Sequence, residues 1–96
     1  MLDLDHAQLK AIQQILNNFL PPGSEIYAYG SRVKSKARRY SDLDLVIKTK
    51  ISRSAKALIE EAYSDSDLPF LVDISNWIDL SEEFQQNIDK ELVKIG

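Results

Sequence analysis

The chain has 96 residues, 44% of them hydrophobic and 28% charged, with a net charge of −3, one histidine and no cysteine. That length fits a single domain over 1–96 with a thin core, burying about 60–70% of the surface its unfolded chain exposes. The missing cysteine excludes disulfides and thiolate zinc sites, and His6 alone cannot build a histidine metal site. A metal would have to be held by oxygen, which favours a hard divalent ion such as magnesium or manganese.

The start of the chain, MLDLDHAQ, has neither a basic nor an apolar leader region, and no apolar run approaches the roughly 20 residues of a membrane span. It reads as cytoplasmic. Five cations (Arg32, Lys34, Lys36, Arg38 and Arg39) stand within eight acid-free residues, leaving seven cations against fifteen acids elsewhere. A basic arm on an acidic body suits either a localised anionic ligand or a solvated loop, and the net charge disfavours nucleic acid as the partner.

In chain order, Asp5 with Gln8 predicts a capping box, followed by Leu9, Ile12, Leu16 and Phe19 at helical spacing. Pro21-Pro22-Gly23 ends that helix. Residues 25–29 read as a short strand closed by Gly30, and Ser31 to Tyr40 as a basic turn or short helix. Residues 42–48 suit a second strand. Ser52 or Ser54 opens a helix to about Tyr63 with Leu58 and Ile59 inward. Ser64 to Pro69 is a loop, despite its Ser-Asp-Ser-Asp. Residues 70–75 form a third, buried strand. Asp79 or Ser81 opens a last helix with Phe84, Ile88, Leu92 and Ile95 on one face. This order predicts an α/β (α+β) fold, a small mixed β-sheet with helices packed on it.

Strand alternation puts Asp42 and Asp44 on one face, a few ångströms apart. Two such carboxylates repel and raise each other's pKa unless a cation sits between them. Alone, the pair suits a solvated strand face as well as a metal site. Asp73, inside the apolar run Phe70-Leu71-Val72-Asp73-Ile74, adds a third acid where an isolated charge is costly. Gly30-Ser31 follows a strand, where a glycine lets backbone approach a phosphate. Arg32 stands where it could reach the same phosphate. Trp77 suits a core or partner-facing position, and His6 a solvated first turn.

Together, Tyr29-Gly30-Ser31-Arg32-Val33-Lys34-Ser35 and Ser41-Asp42-Leu43-Asp44-Leu45 resemble the signature of the nucleotidyltransferases related to DNA polymerase beta, and in particular its minimal branch. The resemblance covers roughly residues 8–95. It implies that Gly30 and Ser31, with Arg32 and Ser41 beside them, contact the triphosphate of ATP or another nucleoside triphosphate. It implies that Asp42 and Asp44 coordinate two magnesium ions, and that Asp73 completes one metal site and helps activate an acceptor hydroxyl. Members of this branch are often encoded beside small helical HEPN-domain proteins, as antitoxins, and some transfer AMP from ATP to a tyrosine of that partner. The implied function is therefore magnesium-dependent transfer of a nucleoside monophosphate to a partner protein, in a hetero-oligomer or a homodimer. The alternative is a catalytically weak or inactive nucleotide-binding antitoxin. Ser35 stands where the family usually has a second glycine, which bears on turnover.

Overall fold

The computed structural model describes residues 2–34 and 41–95. Ser35 and most of the basic arm lie outside them. Helix α1 (His6–Phe19) starts at the expected capping box: the Asp5 carboxylate accepts from the Gln8 amide at 2.7 Å, and the Gln8 side chain accepts from the Asp5 amide at 3.2 Å. It ends at Leu20, before the two prolines. Strand β1 (Ile26–Tyr29) leads into Gly30, and β2 is Leu43–Ile47. Asp42 therefore immediately precedes its strand instead of opening it. Ser52 caps helix α2 (Arg53–Ser64), its hydroxyl accepting from the Ala55 amide. The Ser-Asp-Ser-Asp of residues 64–67 lies where α2 gives way to a turn capped at Asp65. Strand β3 (Val72–Asn76), a short 3₁₀ turn over Trp77–Asp79, helix α3 (Glu82–Asp89) capped by Ser81, and strand β4 (Val93–Lys94) complete the chain.

The sheet order is β3-β2-β1-β4. β2 and β3 are parallel, joined across α2, while β1 runs antiparallel to both β2 and β4. Helices α1 and α2 cover one face. Ile12 and Leu16 from α1, and Ile59 and Tyr63 from α2, pack there on Ile26, Ala28, Leu43, Leu45, Ile47 and Ile74. The Tyr63 hydroxyl donates to the Ile12 carbonyl at 3.0 Å and ties the two helices together. The other face carries a smaller cluster of Tyr29, Val46 and Ile88, edged by Tyr27, Trp77, Leu80 and Leu92. α3 thus covers only part of the second face.

Three expectations need correction. Leu58 is 52% exposed. The inward stripe of α2 is Ile59 with Tyr63 four residues on, and Leu58 falls about 100° off it. The last helix stops at Asp89, and Leu92 and Ile95 lie beyond it. There the chain pairs Val93 with Ala28 and Lys94 with Tyr27, and the Ile95 amide donates to the Ile26 carbonyl at 2.9 Å. The backbone of β1 requires a partner on that side, and this requirement overrides the helical spacing of Ile88, Leu92 and Ile95. Finally, Asp73 is exposed. Its neighbours Val72 and Ile74 enter the core, and strand alternation turns Asp73 to the open face.

Candidate active site

The site is built on the second face of the sheet, beside the area that α3 leaves open. Gly30 leaves β1 with φ +87°. Its carbonyl accepts from the Val33 and Lys34 amides at 3.1 and 3.2 Å, which winds residues 30–34 into one tight turn. A side chain is disfavoured at Gly30 on two grounds. The positive φ disfavours one, and an added Cβ would lie 2.6 Å from Asp44 Oδ2. The glycine of the Gly-Ser pair and the second aspartate of the Asp-x-Asp pair are therefore packed against each other.

The strand register aligns the acids. Asp44 on β2 pairs with Tyr29 on β1 and with Asp73 on β3, so the three side chains form a row across adjacent strands about 4.8 Å apart. Asp42 is exposed at the entrance to β2. Asp44 is half-buried, and its carboxyl is held above its ordinary pKa by that burial first, then by the charges of Asp73, Asp42 and Glu91. The Tyr29 hydroxyl is also pushed up, by burial and then by Asp44 and Asp73, while a hydrogen bond with Ser75 opposes the shift. Asp42 and Asp73 help to line an open cleft of about 630 Å³, together with Glu60, Tyr63 and Leu71.

Arg32 is anchored within the protein. It is only 5% exposed, its guanidinium donating to the Ser41 carbonyl at 3.0 and 2.9 Å and to the Asp3 carbonyl at 3.0 Å. The same group stacks 3.9 Å from the centroid of Phe70. Arg32 thus joins the Gly30 turn to the residue before Asp42, and holds the two halves of the motif at their spacing. Ser41 takes part through its backbone carbonyl.

One acid of the site carries no signal in the sequence. Glu91, on the link between α3 and β4, accepts from the Gly30 amide at 2.6 Å and pairs with Lys34 Nζ at 3.2 Å. It lies 61 residues from Gly30 in a polar stretch that looks like any solvated helix end.

The acids supply only oxygen ligands, and the mutual repulsion that adds to burial in raising the Asp44 pKa is what a divalent cation would relieve. In that chemical sense they suit magnesium. Among the described residues, no three acidic or histidine side chains lie close enough to surround one ion.

A family model for the nucleotidyltransferase domain matches residues 9–95. The chain belongs to the nucleotidyltransferase family. It is 41% identical to the "Probable protein adenylyltransferase MntA" of Haemophilus influenzae, over 98% of this chain and 83% of that protein. Among solved structures, the fold is similar to a toxin-antitoxin crystallised with AMP-PNP, with a TM-score of 0.74 and 20% identity over 92% of this chain and 72% of that one. It is also similar to a mutant of the toxin-antitoxin MntA-HpeT, with a TM-score of 0.67 and 16% identity over 92% and 71% of the two chains. As a nucleotidyltransferase, this chain carries the Gly-Ser turn and the Asp-x-Asp strand side by side on one sheet face. No helix among the described residues is long and apolar enough to cross a membrane.

Proposed function

We propose that this nucleotidyltransferase moves AMP from ATP to a hydroxyl of a helical HEPN-type partner protein, as the antitoxin of a cytoplasmic toxin-antitoxin pair. The observation that carries the reading is the row of Asp44 and Asp73 in direct register beside the Gly30 turn. The 41% identity to a protein named as an adenylyltransferase supports AMP as the transferred group.

In this reading Gly30 and Ser31 receive the triphosphate, and Asp42 and Asp44, with Asp73, would hold two magnesium ions, each by one or two carboxylates together with the phosphates of the nucleotide. Bound magnesium supplies charge neutralisation and in-line orientation of the attacking and leaving oxygens. Asp73, exposed at the cleft end of the row, faces the acceptor and takes its proton. The acceptor oxygen bonds to the α-phosphorus, the bond from that phosphorus to the bridging oxygen breaks, and pyrophosphate leaves. Arg32 anchors this arrangement through backbone carbonyls. It is a positioning residue that fixes Ser41, and so Asp42, relative to the turn.

Incubating the protein with labelled ATP, magnesium and its helical neighbour should label the neighbour, and Asp42→Ala and Asp44→Ala should each abolish the labelling. Labelling that persists in both variants would remove the assignment. A second reading, an antitoxin that binds its partner without turnover, draws on Glu91, whose carboxylate already occupies the Gly30 amide. Under it, Asp42→Ala would neutralise the partner as well as the unaltered protein does.

A further inference from the structure

We propose that Glu91 is a built-in stand-in for a phosphate group in the Gly30 turn, displaced when a triphosphate binds. This rests on the reading that Gly30 and Ser31 receive the triphosphate.

The Glu91 carboxylate is held at both oxygens. Oε2 accepts from the Gly30 amide at 2.6 Å and Oε1 pairs with Lys34 Nζ at 3.2 Å. An amide in a positive-φ turn and a nearby ammonium are the donors that such turns offer to anions. Here one carboxylate engages both. The Glu91 side chain is 16% exposed, against 50% for Lys34, so its charge is largely withdrawn from water. It is also placed among like charges, because its field reaches Asp44 and the Tyr29 hydroxyl. A neutral glutamine could accept the same bond from Gly30. The structure thus carries a negative charge where shape and hydrogen bonding alone would not require one.

The charge does have a use while no anion is bound. It keeps the Gly30 amide satisfied and holds Lys34 against the turn, and both donors are then in place for an anion. A triphosphate delivers more negative charge to the same donors and removes Glu91 from them. Glu91 thereby sets a threshold that a strongly anionic ligand can overcome and a weak one cannot.

The test titrates inorganic tripolyphosphate with magnesium, ATP with magnesium, and magnesium alone into the full chain by calorimetry. It compares the unaltered protein with Glu91→Gln and Glu91→Ala, each checked for folding by circular dichroism. Glu91→Gln should bind tripolyphosphate and ATP about tenfold more tightly, which is ~1.4 kcal/mol, with magnesium binding unchanged. Equal or weaker binding of tripolyphosphate in the folded variants overturns the proposal. So does weaker binding of magnesium alone, which would make Glu91 a metal ligand. If the unaltered protein and both variants bind neither tripolyphosphate nor ATP, the reading of the turn fails and the inference fails with it. Unaltered protein that binds without a gain in the variants overturns the inference alone. A second measurement needs no variant. In the unaltered protein, tripolyphosphate should move the Gly30 amide and Glu91 side-chain carboxyl resonances together, and a Glu91 carboxyl that stays still while Gly30 moves overturns the proposal.

Discussion

Gly30 and Asp44 are so closely packed that the carboxylate of one fills the space a side chain on the other would need. Gly30→Ala should therefore act on the chemistry through Asp44. The methyl group would meet Asp44 Oδ2 at 2.6 Å on a backbone with φ +87°, so the strand, the carboxylate or both must shift. A displacement of about 1 Å at a reacting centre costs about 10²-fold in rate. Steady-state labelling of the partner by Gly30→Ala, beside a thermal melt, checks this. The expected result is a loss of about that size, with strain costing roughly 1–3 kcal/mol of stability.

Asp44 should also make stability depend on pH. Its folded pKa lies above the ordinary value of 3.8 because of burial and the neighbouring acids. The folded state then holds the proton more tightly than the unfolded chain does. Stability must fall as pH rises from below 3.8 through the raised folded value. Asp44→Asn should melt higher than the unaltered protein at neutral pH, and the gap should close in acid. Melting curves across that range decide the sign.

Magnesium should reverse that penalty. A ligand that binds only the folded state at a hundred times its dissociation constant adds about 2.7 kcal/mol. Saturating magnesium should therefore raise the melting temperature of the unaltered protein. It should leave Asp44→Asn nearly unmoved, and a chelator should abolish labelling of the partner.

Arg32 should prove structural. Arg32→Ala removes at least its three hydrogen bonds to the Ser41 and Asp3 carbonyls and the stack on Phe70. At about 1 kcal/mol for each, the loss is roughly 3–4 kcal/mol. Arg32→Lys should recover little, because an ammonium cannot reproduce the planar fork that bridges Ser41 and Asp3. Denaturant unfolding measures both.

Asp73 predicts the opposite balance. As an exposed strand residue, Asp73→Asn should change stability by less than about 0.5 kcal/mol. Labelling should nevertheless fall by about 10²–10⁴-fold, the usual contribution of a proton acceptor.

Much of this arrangement was legible in the chain because the signals are local. The Asp5–Gln8 capping box, the glycine after β1 and the alternating Asp-x-Asp each depend on residues a few positions apart. Apart from the helical phase of Leu58, the readings that needed correction turned on distant partners. The helical spacing of Ile88, Leu92 and Ile95 is real, yet pairing with β1, some sixty residues back, claimed the chain from Val93 onward. Asp73 lies in an apolar run, but on an edge strand whose second face α3 leaves open. The burial of Arg32 has no local signal, because its carbonyl partners lie 9 and 29 residues away. Glu91 could not be found at all, since nothing near it distinguishes a glutamate that reaches Gly30 from one in solvent.

The sheet separates its duties by face. The larger core looks toward α1 and α2, while Asp44 and Asp73 look the other way, beside the smaller cluster of Tyr29, Val46 and Ile88. Mutation can therefore reach the two independently. A descendant that exchanged these acids for neutral residues would keep every contact of its larger core and would shed a like-charge burden as well. Such lineages would drift easily from catalysis to pure binding, with the ancestral outline of the site still visible in their backbones.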